Sequence, residues 1–230
     1  DLDCGSGLVL LIREHMASVP EGGVLEMRSR EPTVRDDLPP WCRMVGHEFL
    51  GELDGSGCAR YFVRKGTGQA ARAEAEALEQ DKARAREYEW RVRVRSTGHL
   101  ESTAYFRNFT LHLGQPASFE ERDAHPSAVE VLLGALGGAL STAFASECAR
   151  AGLEVDDVEV SVRGRLHDPL APLGLSDGDP AFARIEVKAF ASTLEDEERV
   201  RAAWETCVAR SPLHATLARA TEVSVRLAIV

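Results

Sequence analysis

The chain has 230 residues and a mass of 25.1 kDa, enough for one large domain or two small ones that each bury a core without a metal or disulfide staple. Its hydrophobic fraction of 44% and charged fraction of 28% are ordinary for a globular protein, and no apolar run is expected to reach the roughly 20 residues that cross a bilayer, so the sequence reads as soluble. A formal charge of -10 and a pI near 5.2 argue against a broad nucleic-acid or anionic-membrane surface, which needs clustered Lys and Arg.

The cysteines, Cys4, Cys42, Cys58, Cys148 and Cys207, are odd in number, contain no CxxC pair and follow no secretory signal. Reduced thiols and a cytoplasmic location are therefore expected. The sequence opens at Asp1 as though a strand were ending there, so a first strand is expected to precede it.

In chain order, residues 5–17 place Leu8, Leu11, Ile12 and His15 at helical spacing, and Pro20 with Gly22 and Gly23 ends that helix. Cys4 then stands at a helix N-terminus. Residues 24–28 alternate as a short strand, and Thr33 can cap a second helix that reaches Val45, with Pro39 and Pro40 breaking or restarting it. Gly46 closes that helix, and residues 47–53 and 58–64 read as strands around a glycine-rich turn. Residues 69–86 are rich in Ala, Glu, Arg and Lys and read as a solvent-exposed helix.

Beyond it, residues 88–95 and 102–113 read as a hairpin or meander with one solvated face. Residues 127–151 form a long buried helix through Leu132, Leu133, Leu136, Leu140 and Phe144, with Gly and Ala between them. Residues 153–166 and 185–191 read as strands around a loop, residues 194–209 as a helix, and residues 222–230 as a last strand. The architecture expected is α+β: a small two-layer βαβαββ domain over 1–66, a helical connector over 67–87, and a second α+β domain over 88–230.

The runs LDCGSGLVLLIREHM, EPTVRDDLPPWCRMVGHEF and CARYFVRK resemble, in family order, the TusA (SirA-like) sulfur carriers. In that family a cysteine before a Pro-x-Pro segment opens the first helix and carries a persulfide sulfur, and the resemblance maps it onto Cys4. Here Gly5, Ser6 and Gly7 replace the Pro-x-Pro part, which removes the fixed φ that preorganises the helix start. The chemistry has its own rationale, because the N–H groups and dipole of a helix N-terminus stabilise a thiolate and bring its pKa down from about 8.5. Cys42 and Cys58 read as buried packing residues, and His47 as a structural residue without a metal set.

The runs YFRNFTLHLGQP, HPSAVEVLLGALGGALSTAF and ARSPLHATL resemble the OsmC/Ohr hydroperoxide-reductase family. That resemblance implies an intertwined homodimer whose strands wrap paired long helices. The two cysteines of the family's peroxide chemistry fall on Ala139 and Ser211, neither of which can form a sulfenate or a disulfide. Arg107 and Glu130 match the arginine and glutamate that orient the reactive thiol. Cys148 lies on the opposite side of the helix from Ala139, while Cys207, four residues before Ser211, shares its face and reaches the vacated site if the helix continues.

Three functions follow from these readings. The first is a sulfur (persulfide) carrier acting through Cys4, with a catalytically degenerate OsmC-like domain for dimerisation or client binding, and a cysteine desulfurase or sulfur-relay protein as partner. The second is a thiol-dependent organic hydroperoxide reductase or redox protein in which Cys4 replaces the missing thiol. The third is a noncatalytic small-molecule-binding regulator. None requires a cofactor, a metal, nucleic acid or a membrane.

Overall fold

The computed structural model describes residues 5–29, 31–55, 58–115 and 124–229. The chain divides into two compact units, Asp1–Trp90 and Arg91–Val230.

The first unit runs α1 (Gly5–Ser18), β1 (Val24–Ser29), α2 (Val34–Val45), β2 (Glu48–Asp54), β3 (Ala59–Arg64) and α3 (Gln69–Arg86). Its sheet has the order β1-β3-β2, with β3 central and antiparallel to both neighbours. Alternation sets the two faces: Leu25 and Met27 pair with Val63 and Tyr61 on the core side, while Glu26 and Arg28 stand on the other. Ile12 and Met16 of α1 and Val34, Leu38, Trp41 and Cys42 of α2 close the core from above. The strand expected to end at Asp1 falls outside the described residues.

Three local expectations are corrected here. Thr33 precedes α2 but makes no capping bond; its backbone is already helical, and its Oγ1 donates to Glu31 Oε1 at 3.3 Å. α2 continues through Pro39 and Pro40. Each proline forgoes a backbone hydrogen bond, yet burial of one face, from Val34 to Cys42, holds the helix together. The helix expected to be solvent-exposed, α3, packs onto α1 instead: Leu78 and Glu74 are buried, Arg13 Nε bonds Glu74 at 2.7 Å, Arg13 also pairs with Asp81, and Lys82 meets Glu14 at 2.8 Å. An Ala/Glu-rich composition reports helix formation but not where the helix lies.

The second unit runs β4 (Arg93–Gly98), β5 (Glu101–Phe106), β6 (Phe109–Leu113), α4 (Ala128–Ala151), β7 (Asp157–Leu166), β8 (Phe182–Ser192), α5 (Glu197–Arg210), α6 (Pro212–Leu217) and β9 (Glu222–Ile229). One sheet is the antiparallel meander β4-β5-β6, whose β5–β6 turn lies at Arg107, with φ 51°. The other sheet has β8 at its centre, antiparallel to β7 and parallel to β9. The short helix α6 was not legible in the sequence.

α4 begins with a capping box, in which the Ser127 side chain accepts from Glu130 N–H and the Glu130 carboxylate accepts from Ser127 N–H at 2.7 Å. One face of α4, Leu136, Leu140, Phe144 and Cys148, is buried with Ile185, Val187, Ala189 and Ala191 of β8 and Val200, Trp204 and Cys207 of α5. Gly137 lets the helix close on β7, since a Cβ there would stand 3.0 Å from Val162 Cγ2. By length and composition this 24-residue helix is apolar enough to cross a membrane, contrary to the reading that no run reaches that size. Its many Gly and Ala residues conceal the continuity of the run, whose large side chains form the centre of this unit's core.

Phe144 stands edge-on to Trp204 with ring centroids 5.2 Å apart. Phe144→Ala is expected to cost about 3–5 kcal/mol, checked by urea denaturation followed through hydrogen exchange at the α4 amides.

Candidate functional site

Cys4 lies outside the described residues; the residue after it, Gly5, opens α1. The other thiols are placed. Cys42 is fully buried on the inner face of α2, and burial pushes its thiol up to about 11. Cys58 is half-buried rather than buried as expected, because it directly precedes β3 at the turn end of the β2–β3 hairpin.

Cys148 and Cys207 share the core between α4 and α5. Burial raises the Cys148 thiol, with a smaller push from Glu147. Burial and then Glu147 lift Cys207 to about 11. The Cys207 thiol donates to the carbonyl of Leu140 at 3.3 Å. It thus reaches the residue next to Ala139, but as a neutral, sealed group.

The other positions named by the OsmC resemblance lie on α4, at the α5–α6 junction and in the β5–β6 turn. Ala139 is half-buried on α4. Ser211 is buried and caps α6, its Oγ accepting from His214 N–H at 3.3 Å. Arg107 is exposed in the β5–β6 turn with positive φ, and Glu130 is spent on its capping box. The bonds from the Ser127 side chain and backbone hold the Glu130 carboxyl below the usual carboxylate range. Among the described residues no hydrogen bond or ion pair joins Arg107 to Glu130, and no cluster of three or more His, Cys, Asp or Glu side chains is placed to hold a metal ion. A groove of about 290 Å³ runs beside α4, lined by Glu130, Leu133, Gly134, Gly138, Val160 and Val162.

Sequence reasoning missed one buried polar pair. Nε1 of Trp41 and Nε2 of His47 make no hydrogen bond among the described residues, and the two rings stand edge-on at 5.7 Å. The only sign in the sequence was a histidine directly after the helix-closing Gly46.

The long apolar helix over a β7-β8-β9 sheet, preceded by a three-stranded meander, makes the second unit an OsmC-like α+β domain. A family profile described as OsmC-like protein matches residues 121–226. The structure is similar to an OsmC-like protein from Mycoplasma pneumoniae (TM-score 0.53, 15% identity, covering 63% of this chain and 99% of that one). It is also similar to a hypothetical protein from Aquifex aeolicus (TM-score 0.52, 12% identity, covering 62% and 97%). These likenesses concern the fold. The chain is 35% identical over 57 residues to the sulfur carrier protein TusA of Pseudomonas entomophila, covering 25% of this chain and 71% of that protein. It is 30% identical over 57 residues to that of Pseudomonas fluorescens, covering 25% and 69%. The chain belongs, as a distant member, to the TusA family through its N-terminal region, and joins to that region a C-terminal OsmC-like domain.

In native protein at about pH 8, Cys42, Cys148 and Cys207 are expected to react with iodoacetamide at least ~100-fold more slowly than a free thiol. All three are expected to react fully in urea. Peptide mass spectrometry of the labelled chain checks both outcomes.

Proposed function

We propose that this protein is a persulfide sulfur carrier whose carrying group is the Cys4 thiol, and that its OsmC-like domain serves as a dimerisation platform without peroxidase activity. The single observation that supports the carrier reading most is the N-terminal similarity to sulfur carriers, in a chain whose reactive cysteine by that resemblance immediately precedes α1. Cys42, Cys148 and Cys207 speak for it indirectly, since their burial and raised pKa values leave them poor nucleophiles.

The chemistry asked of Cys4 is a balanced exchange. Its thiolate attacks the outer sulfur of a donor's persulfide; the new S–S bond forms on Cys4 as the donor's S–S bond breaks and its thiolate leaves. An acceptor nucleophile then takes the outer sulfur, and Cys4 leaves as a thiolate. A cysteine desulfurase, or a sulfur-relay protein charged by one, fits the role of donor.

The loss of peroxidase chemistry rests on Ala139 and Ser211, which offer no thiol pair for sulfenate formation and resolution. The dimer reading rests on uncovered apolar surface. Val129 and Leu132 of α4 are exposed, and one face of the meander carries Val94, Phe106, Phe109 and Leu111, of which Val94 and Phe109 are exposed. A second copy would bury such surfaces.

Incubation with a cysteine desulfurase and free cysteine is expected to add one sulfur mass to the wild-type chain and none to Cys4→Ser, read by intact-protein mass spectrometry without reductant. An adduct of equal yield on the variant refutes Cys4 as the carrier. Sedimentation equilibrium is expected to give twice the 25.1 kDa of one chain; a monomer at micromolar concentration refutes the platform.

A further inference from the structure

Three backbone segments of the first unit meet tightly at the root of α3. A Cβ at Gly66 would stand 2.2 Å from the carbonyl oxygen of Gly46 and 3.1 Å from Cβ of Ala70. One at Gly46, where α2 ends with φ 77°, would stand 2.7 Å from that same Ala70 atom. The crossing therefore joins the end of α2, the exit from β3 and the first turn of α3. His47 ties it: Gly66 N–H donates to its Nδ1 at 3.1 Å, and its own backbone N–H donates to Cys42 O at 2.8 Å.

That bond fixes the tautomer. Because Nδ1 accepts, the proton of the neutral ring sits on Nε2. A second proton has only Nδ1 to occupy, where it would face the Gly66 N–H, donor against donor. Protonation thus removes the bond that secures the crossing and leaves a charge on a side chain that is 6% exposed. Burial disfavours the charged ring, Glu74 of α3 and a backbone bond with Gly46 favour it, and Lys65 after β3 and Arg13 of α1 oppose it; burial, aided by the two cations, outweighs Glu74 and Gly46 and holds the imidazole below its ordinary range. Glu74 is itself engaged by Arg13 at 2.7 Å.

We propose that His47 is a proton-operated pin for α3. Neutral, it clamps the turn from which α3 departs; protonated, it releases Gly66 and loosens α3 from α1. The device is independent of what Cys4 carries. Its sign follows from linkage: the clamped form has the depressed pKa, so the loosened form takes up the proton first. The clamp is fully in force above the ordinary histidine value of 6.5 and weakens as pH falls through it.

The test is amide hydrogen exchange on the full chain between about pH 7.5 and pH 5.5, corrected for intrinsic rates, beside an NMR titration of the His47 ring. Protection of the α3 amides is expected to fall several-fold, up to about ten-fold, across that range, starting near the ordinary histidine value of 6.5, while the β7–β9 amides hold theirs. His47→Asn, whose Oδ1 can accept from Gly66 without titrating, is expected to keep α3 protection flat. Protection that is flat in the wild type, that falls equally in β7–β9, or that still falls in His47→Asn overturns the proposal. The wild-type titration decides the matter even where the variant folds poorly.

Discussion

Burial of one face of α4 organises the second unit and, in doing so, decides the state of its sulfur. The helix brings Leu136, Leu140, Phe144 and Cys148 against β8 and α5, and that dry interface is where Cys207 lies. A thiolate needs water, a cation or a set of donors; a core offers none of these. The Leu140 carbonyl that receives the Cys207 proton is an acceptor, which stabilises the thiol rather than its anion. The packing that makes the domain stable therefore also silences the two cysteines it retains. Positions 139 and 211, where the OsmC resemblance would put reactive sulfur, carry Ala and Ser.

The first unit reaches a similar result for Cys42 by the same means, through burial under the core face of α2. Its polar investment lies elsewhere, in the arginine-centred contacts between α1 and α3 and in the His47 crossing. Those contacts turn what composition suggests is a spacer into part of the folded unit. α3 is thereby an element with a defined docking surface, and the only apolar side chain it buries is Leu78. A helix with so small an apolar face depends on its ion pairs and its root, which is why a titratable group at that root matters.

Much of this organisation was legible in the residues. Helical spacing of apolar side chains gave α1, a long apolar segment gave α4, the glycine at 46 gave the end of α2, and alternation gave β1 and β3, because each signal reflects a local preference that the fold keeps. The OsmC-like segments were readable from short motifs. What escaped depends on tertiary packing. Two prolines persist inside α2 because its buried face outweighs the lost hydrogen bonds. Arg107 turns the chain between strands with a positive φ that no glycine announces. α6, with the sequence PLHATL, is too short to show a period. The Trp41–His47 pair is invisible in sequence, since nothing in a lone histidine reports that its ring is sealed and holds a backbone amide.

The central claim is that Cys4 carries sulfur that can be handed on. The most direct measurement is the sulfane sulfur released by cyanide from protein charged with a persulfide donor and freed of it. One equivalent per wild-type chain and none from Cys4→Ser is the expected result. Equal release from both, or none from the wild type, contradicts it.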